Sequence, residues 1–254
     1  MSKLALWIVT LALSAPAWAQ TEAFIKKAIE ERLPGYKVEG IVKTPFMGGM
    51  YEVRNSDAEI IYTDEKVNHI FIGSVRDGKN VELDYTADRV KKLTAVRFDE
   101  LPLANAFKMV RGKGTKQVAY FTDPNCPYCR QIEKELLQLD DVTIHVMLYP
   151  ILNPQDSPAK SRAVWCSADK AKAWNDLMLN GVQPQPAPAN CSAPIEKNVA
   201  LGRKLKINSV PTLILANGER VAGMRPANVL KQMIDDAGPV KQGAAATDGT
   251  LAKN

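Results

Sequence analysis

Hydrophobic and polar positions in the first third of the chain predict one helix followed by a small antiparallel sheet. Apolar residues recur at helical spacing over 21–33, and Pro34 ends that helix. Three short β-prone runs follow at 50–53, 60–63 and 69–72, each separated from the next by polar turn residues. A unit of about 60 residues with few large apolar side chains is marginally stable alone. We therefore expect it to bury further surface against a second copy.

The next stretch predicts two helices of different character. Over 85–100 charged residues of both signs alternate and no apolar face is evident, which is typical of a linker helix between domains. Over 101–110 the apolar residues predict a short amphipathic helix that opens a second domain. The chain is therefore expected to hold two domains joined by a helix.

A strand, a tight turn and a helix surround two cysteines in the second half of the chain. The β-prone run 117–122 stops at Asp123-Pro124, and a helical pattern covers 130–139. Cys126 and Cys129 stand between these two elements with two residues separating them. This layout is that of a thioredoxin-like redox site.

The rest of the pattern predicts alternating strands and helices and then a polar tail. Periodicity indicates a strand at 142–149 and two helices at 161–179 and 195–205. A hairpin with strands at 212–216 and 220–222 turns through Asn217-Gly218, and a last helix covers 227–236. The small, polar residues of 238–254 predict disorder.

The position of Cys126 favours a reactive thiolate. At a helix N-terminus its sulfur faces unpaired backbone N–H groups and the positive end of the helix dipole, which lower the pKa of a thiol below about 8.5. Pro127 suits the first helical turn, because its φ is already helical. Cys129 is about one turn further on and less exposed, so we expect Cys126 to attack and Cys129 to resolve.

A zinc site and a plain structural bridge are the alternatives for this cysteine pair. Cys-x-x-Cys supplies half of many four-cysteine zinc sites, but these join one close pair to another. Here the other two cysteines, Cys166 and Cys191, are far apart in the sequence. We expect redox chemistry with no metal and no other cofactor.

The first nineteen residues predict a secretory signal peptide. Lys3 gives a positive start, an apolar run follows, and Ala17-Trp18-Ala19 fits a cleavage site of small residues. The mature chain would begin near Gln20 in an exported compartment. Its 254-residue precursor carries a net charge of only +5 with acids and bases interspersed, so no nucleic acid partner is expected.

The four cysteines suit an oxidising compartment. Cys126 and Cys129 form one natural pair, which leaves Cys166 and Cys191 as the other. A bridge between these two would close a loop of about 25 residues and stabilise the fold by roughly 3 kcal/mol. We interpret it as a structural disulfide across a proline-rich stretch, with a second redox couple as the alternative.

Ser209-Val210-Pro211-Thr212 is the second stretch that carries chemistry. A proline can begin a strand without a cis bond, but together with the cysteine motif it predicts a cis-proline loop beside the sulfurs. Such a loop offers a backbone edge to an extended substrate segment. The candidate substrate-binding residues are therefore Pro127, Tyr128, Val210, Pro211 and Thr212.

These motifs resemble the DsbC/DsbG family of periplasmic disulfide isomerases. The resemblance lies in 120–123 before Cys126-Pro127-Tyr128-Cys129, in 163–166, and in Val210-Pro211 before the Asn217-Gly218 hairpin. It implies an α+β/α/β fold: a thioredoxin-like catalytic domain with a helical insertion over 101–237, preceded by a small α+β dimerisation domain over 20–84 and a linker helix over 85–100.

The resemblance also implies roles and partners. Cys126 is the expected nucleophile, Cys129 the resolving thiol, and Cys166–Cys191 a structural bridge. The expected protein is a periplasmic homodimer that acts on misfolded or mis-oxidised exported proteins. A DsbD-type membrane reductase would keep its cysteine pair reduced.

One other enzymatic activity and one other class of protein remain as alternatives. Pro127-Tyr128 resembles the DsbG branch, and Val210 stands where both branches usually have threonine, so a DsbG-like reductase of sulfenylated single cysteines is one alternative. A holdase chaperone dimer is another. Cys-Pro-Tyr-Cys followed by Val-Pro is also a glutaredoxin pattern, but Val210 stands 81 positions after Cys129, which leaves room for a helical insertion that glutaredoxins lack.

Overall fold

The computed structural model describes residues 17–46 and 48–240, which form two compact units divided after Val90. Most of the predicted signal peptide and most of the predicted disordered tail lie outside the described residues.

The first unit packs one helix on an antiparallel sheet. Helix α1 spans Ala17–Arg32, four residues earlier at its start than the sequence predicted. The strands are β1 Val38–Lys43, β2 Tyr51–Asn55, β3 Ile60–Thr63 and β4 Ile70–Ile72, paired antiparallel in the order β1-β2-β3-β4. The sequence missed β1, because only Val38 of that strand is buried and a register shift between Val38 and Gly40 breaks its alternation.

Helix α2 differs from the predicted linker helix in both length and packing. It spans Tyr85–Thr94 and is followed by a separate 3₁₀ turn at Phe98–Glu100. It is not solvent-exposed all round, because Arg89 is buried and its Nε lies 3.0 Å from Oε1 of Glu52 on β2. The Thr86 hydroxyl lies 2.6 Å from the Tyr62 hydroxyl. These contacts fix the start of α2 to the sheet, since buried polar groups need partners.

The second unit is built on a five-stranded mixed sheet. Its strand order is β5-β7-β6-β8-β9, in which β6 and β7 run parallel and the other neighbours antiparallel. The strands are β5 Phe107–Arg111, β6 Lys116–Thr122, β7 Val142–Leu148, β8 Thr212–Leu215 and β9 Arg220–Ala222. The helices are α3 Pro127–Leu136, α4 Ser157–Trp165, α5 Lys170–Asn180, α6 Ile195–Lys204 and α7 Ala227–Ala237.

The predicted helix over 101–110 is wrong. This stretch holds a short 3₁₀ turn at Leu103–Asn105, and β5, which pairs antiparallel with β7, begins at Phe107. Phe107 and Met109 are buried while Lys108 and Val110 are exposed. This alternation has the period of a strand, but five residues are too few to distinguish it from a helical pattern in the sequence.

The helix predicted over 161–179 is two helices. Helix α4 begins four residues earlier, at Ser157, and ends at Trp165, and α5 begins at Lys170. Asp169 caps α5, because its carboxylate accepts a hydrogen bond from the Lys172 backbone N–H at 2.9 Å. With α6, these helices form the insertion between β7 and β8.

Strand β6 is the central strand of the sheet in the second unit. It lies between β7 and β8, and every residue from Val118 to Asp123 is buried. Burial on both faces leaves the strand little freedom, so the turn that follows it starts from a fixed position. That turn carries the cysteines.

The hairpin at Asn217-Gly218 packs closely against the backbone of Val96, and this contact can be tested. Gly218 has φ +87°, and a Cβ on it would lie 2.3 Å from the Val96 carbonyl oxygen. We expect Gly218→Ala to lower the free energy of unfolding by roughly 3 kcal/mol, because backbone strain and overpacking act together. Urea unfolding followed by tryptophan fluorescence would measure the loss.

Gly181→Ala is the matched control. Gly181 has φ +71° with nothing within 4 Å of an added Cβ, so only conformational strain of about 1 kcal/mol is expected. Equal losses in the two variants would contradict the close approach of Val96.

Candidate active site

Cys126 is the N-cap of α3. Its backbone is extended, with φ −80° and ψ 117°, and Pro127 occupies the first turn of the helix. The Cys129 backbone N–H donates to Cys126 Sγ at 3.2 Å. The sulfur therefore takes the place that a serine or aspartate oxygen usually fills at a helix start, where orphan N–H groups favour negative charge.

A buried carboxylate, that of Asp123, fixes the turn before Cys126. Oδ1 accepts from the Asn125 backbone N–H and from the Ser157 hydroxyl, both at 2.8 Å. Oδ2 accepts from the backbone N–H groups of Ile151 at 2.8 Å and Leu152 at 2.9 Å. Asp123 thus joins the turn, the loop after β7 and the start of α4. The sequence analysis did not assign it this role, although an acidic residue directly after a buried strand was a usable signal.

The side chain of Asn125 also fixes the turn, through hydrogen bonds to residues of α4 and its N-cap. Its Nδ2 donates to Oδ2 of Asp156 and to the Ser157 hydroxyl, each at 2.8 Å. Its Oδ1 accepts from Nζ of Lys160 at 2.9 Å. The residue before the first cysteine is therefore tied to α4, the first helix of the insertion.

The Val210-Pro211 loop lies against Cys126. Its peptide bond is cis, and Cys126 Sγ is 3.5 Å from the Val210 carbonyl oxygen, to which the sulfur can donate only in its protonated form. The Thr212 hydroxyl donates to the Ser209 carbonyl at 2.8 Å. The structure thus brings the two stretches singled out in the sequence to one place.

Both sulfurs are buried in the structure. Cys126, which was expected to be the more exposed sulfur, is 1% exposed, and Cys129 is 0% exposed. The cis-proline loop covers Cys126, since the Val210 carbonyl contacts its sulfur. Tyr128, by contrast, is 61% exposed and forms the surface beside the cysteines.

The two sulfurs differ in acidity. The pKa of Cys126 is lowered to about 7, chiefly by a hydrogen bond from the Cys129 thiol and then by the backbone N–H groups of Cys129 and Tyr128. Burial and the Asp123 carboxylate oppose this shift. Burial, followed by the neighbouring Cys126, raises the pKa of the Cys129 thiol. Negative charge therefore resides on Cys126, with Cys129 as a proton-bearing donor.

Beneath the cysteines lies a buried acid that the sequence analysis missed. Glu133 on α3 is 1% exposed, and Nε1 of Trp174 on α5 donates to its Oε1 at 2.6 Å. Burial raises the pKa of Glu133 to about 7, opposed by hydrogen bonds from Trp174 and Tyr120 and by Arg111. Its position one helical turn after Cys129, next to the buried Ile132, was a usable signal.

The other two cysteines are joined. A disulfide links Cys166, at the end of α4, to Cys191, with a Cα–Cα distance of 6.1 Å. It spans α5 and the proline-rich segment 183–190. Cys126 and Cys129 are free thiols in the structure. Within residues 17–46 and 48–240, no group of three or more His, Cys, Asp or Glu side chains is arranged to hold a metal ion.

Comparison of the sequence with known proteins identifies the family to which the two domains belong. Residues 15–87 match the family model of the disulfide bond isomerase protein N-terminal domain, and residues 103–238 match that of a thioredoxin-like domain. The probable thiol:disulfide interchange protein DsbC of Bordetella parapertussis is 40% identical over 207 residues, which are 82% of this chain and 72% of that protein. This chain belongs to the DsbC family of thiol:disulfide interchange proteins. The predicted family is thereby confirmed.

Two further comparisons give similar proteins. The thiol:disulfide interchange protein DsbC of Escherichia coli K12 is 26% identical over 216 residues, covering 82% of this chain and 87% of that protein. The crystal structure of a disulfide interchange protein from Neisseria gonorrhoeae superposes with a TM-score of 0.52 and 35% identity, over 55% of this chain and 99% of that one.

The predicted fold class, a thioredoxin-like domain after a DsbC N-terminal domain, is confirmed by these matches. With its activated cysteine pair, the chain is a thiol–disulfide oxidoreductase of the isomerase family. In the part of the chain that the structure describes, no helix has the length and apolar character needed to cross a bilayer.

The source of the Cys126 acidity can be tested by titration. Thiolates absorb at about 240 nm, whereas thiols do not. We expect this absorbance of the reduced protein to rise with pH, with a midpoint of about 7. Cys129→Ala removes the largest stabilising donor, so the midpoint should move to higher pH. Cys129→Ser keeps a hydroxyl donor and should move it less. An unchanged midpoint in Cys129→Ala would mean that the helix N-terminus alone sets the acidity.

Proposed function

We propose that this protein rearranges incorrect disulfides in exported proteins through a mixed disulfide at Cys126. The observation that supports this most directly is the environment of Cys126 at the start of α3. Its Sγ accepts a hydrogen bond from the Cys129 N–H and lies beside the Val210 carbonyl. A nucleophilic sulfur next to a backbone edge suits a substrate that is an extended polypeptide rather than a small molecule.

The chemistry follows thiol–disulfide exchange. The Cys126 thiolate attacks one sulfur of a substrate disulfide, and the other substrate sulfur leaves as a thiolate. That freed thiolate can attack elsewhere in the substrate and release Cys126, which is isomerisation. Alternatively Cys129 attacks Cys126 and the substrate leaves reduced by two electrons, which oxidises the enzyme pair.

The residues around the sulfurs are proposed to bind the substrate. Tyr128 is exposed beside the cysteines and offers an aromatic surface, while Pro127 keeps the first helical turn rigid. Val210, Pro211 and Thr212 line this surface, and Val210 is the residue proposed to offer its backbone to the substrate, because the Pro211 carbonyl is already bonded to the Gly223 N–H at 2.8 Å. We assign the Cys166–Cys191 disulfide a structural role, as it fastens the insertion outside this site.

We propose that the first unit forms a homodimer. Strand β4 is an edge strand of its sheet, and its residues Phe71 and Ile72 are 43% and 73% exposed. An exposed apolar edge strand is a ready site for pairing with another chain. The match to the N-terminal domain of the disulfide bond isomerase proteins supports the same assembly for domain 20–84. We propose 85–100 as the connection to catalytic domain 101–237.

The proposed compartment is the periplasm. A secretory signal over 1–19 would deliver the chain to an oxidising compartment, and the Cys166–Cys191 disulfide suits that setting. An isomerase there must be kept reduced, because only the thiolate attacks a disulfide. We therefore propose a DsbD-type membrane reductase as the electron donor.

Reactivation of scrambled ribonuclease in a glutathione buffer tests the activity. We expect catalytic amounts of the protein to restore ribonuclease activity, and Cys126→Ser to abolish the effect because no mixed disulfide can form. Cys129→Ser should retain part of the activity, since a substrate thiol can still resolve the intermediate. The matched control is Cys166→Ala/Cys191→Ala, which removes the other pair and should keep the chemistry while lowering stability by roughly 3 kcal/mol.

Full activity in Cys126→Ser would eliminate the proposal. A folded wild-type protein without reactivation would shift the function towards the reduction of sulfenylated cysteines or towards a holdase.

Light scattering on the chain tests the dimer. We expect Ile72→Glu to convert a dimer into a monomer, because a charge at the edge strand opposes pairing. Val182→Glu is the matched control, since Val182 is 55% exposed in the second unit and should leave the mass unchanged. A monomeric wild-type protein, or an unaffected Ile72→Glu dimer, would place the interface elsewhere or remove it.

A further inference from the structure

A groove of about 460 Å³ lies between the loop after β7 and helix α6 in the second unit. Concave, mostly apolar sites of about 300–1,000 Å³ are the usual form of ligand-binding pockets. The apolar lining consists of Pro150, Pro154 and Pro158 in the first wall and Ile195, Val199 and Ala200 in the second. We call this site the α6 groove.

The walls of the α6 groove are held in place without a ligand. Prolines in the first wall fix the backbone φ there, and the Ile151 N–H of the same wall donates to Asp123 at 2.8 Å. The second wall approaches the sheet closely at Gly202, where a Cβ would lie 2.4 Å from Cε2 of Tyr149. The Tyr149 hydroxyl donates to the Ile207 carbonyl at 2.9 Å. A preformed groove of this kind binds an extended chain at little cost in ordering the protein.

Both walls of the α6 groove continue into the segments that hold Cys126. Asp123 accepts from Ile151 in the first wall through one carboxylate oxygen and from Asn125 in the cysteine turn through the other. The second wall, α6, leads along the chain to Val210, whose carbonyl oxygen lies 3.5 Å from Cys126 Sγ. A polypeptide whose disulfide reaches Cys126 therefore has the α6 groove beside its flanking residues.

One uncompensated positive charge lies at the α6 groove. Glu196 and Arg203 both line the groove from α6. Glu196 is paired with Arg162, whose Nη2 lies 2.9 Å from its Oε1. Arg203, in contrast, has no carboxylate partner among residues 17–46 and 48–240. A guanidinium beside an apolar surface suits a carboxylate, with which it forms short, charge-assisted hydrogen bonds.

We propose that the α6 groove binds an extended apolar segment of the polypeptide substrate next to the disulfide under attack, with a carboxylate of that segment at Arg203. This inference rests on the proposed function, since the occupant is the substrate of that exchange. It gives the protein a sequence preference that the cysteine site alone does not supply.

The proposed occupant follows from the reaction. Incorrect disulfides are found in incompletely folded chains, and such chains expose apolar segments that their native folds bury. Because an extended chain advances by about 3.3 Å per residue, only residues close in sequence to the attacked cysteine can reach the groove. The α6 groove therefore favours disulfides in unfolded, apolar stretches over disulfides on a folded surface.

Fluorogenic peptide disulfides test the assignment, with the reduced full-length protein and glutathione as the electron source. Each peptide bears a fluorophore and carries a quencher through the disulfide of its single cysteine, so reduction produces fluorescence. The flank is Leu-Val-Leu-Glu, Leu-Val-Leu-Gln or Ser-Gly-Ser-Gln, placed before or after the cysteine. We expect kcat/KM for the Leu-Val-Leu-Gln peptide to exceed that for the Ser-Gly-Ser-Gln peptide by roughly tenfold, chiefly through KM, because apolar surface is buried.

Ala200→Trp fills the groove and should reduce this tenfold ratio to about one, since the apolar flank loses its site. Ala200 is exposed on α6, so the larger side chain does not disturb the core. Lys197→Trp is the matched control, because it places the same side chain at an exposed position of α6 that does not line the groove. The control should retain the ratio.

Arg203→Gln tests the charged part of the assignment separately. In the wild-type protein the Leu-Val-Leu-Glu peptide should be reduced roughly threefold more efficiently than its Gln counterpart, the size of an exposed ion pair. The variant should abolish this difference while keeping the apolar preference. High salt should weaken the difference in the wild-type protein, because it screens exposed charges.

Each outcome decides the inference. Equal kcat/KM for the apolar and polar peptides in the wild-type protein, or an apolar preference that survives Ala200→Trp, would overturn it. A change of molecular mass in Ala200→Trp would assign the groove to a contact between copies of this chain and overturn it as well. If circular dichroism shows that Ala200→Trp does not fold, Val199→Ser, which removes part of the apolar wall, decides by the same ratio. A wild-type protein that reduces none of the peptides would instead contradict the proposed function, so the two failures are distinguishable.

Discussion

The buried carboxylate of Asp123 is the interaction on which the site depends. Its two oxygens accept four hydrogen bonds, from the turn itself, from the loop after β7 and from the first residue of α4. A buried charge is tolerated only when its lone pairs are satisfied, so these parts of the chain must all be in place before the turn has its final form. The position of Cys126 at the start of α3 is a consequence of that arrangement.

The thiols of Cys126 and Cys129 are chemically identical, but their different surroundings shift their pKa values in opposite directions. Cys126 receives backbone N–H groups and a thiol donor, whereas burial and the neighbouring Cys126 raise the pKa of the Cys129 thiol. Charge on one sulfur and a proton on the other is the division that exchange chemistry needs, because the first must attack at once and the second only after the mixed disulfide forms. Glu133, one helical turn further into the core, extends the same gradient of burial along α3.

The errors of the sequence analysis occurred where long-range contacts decide local structure. Residues 107–111 carry a strand pattern too short to be recognised, and pairing with β7 settles it. The start of α2 seemed solvated because its buried residues are Thr86 and Arg89, whose partners Tyr62 and Glu52 come from strands distant in sequence. A polar residue counts as a surface residue in any hydrophobicity pattern, yet a paired one can be buried at little cost.

The sequence by itself determined the family, the fold class and the two stretches that meet at the site. Cysteine spacing, proline and turn residues act locally, so a strand, a turn and a helix around Cys126 could be predicted from their order alone. Only the tertiary structure decided that Cys126 is covered by the Val210 loop, that Asp123 holds the turn and that Glu133 lies beneath Cys129. Burial and hydrogen bonding between distant segments set the acidity of each group, and neither is encoded in the spacing of residues along the chain.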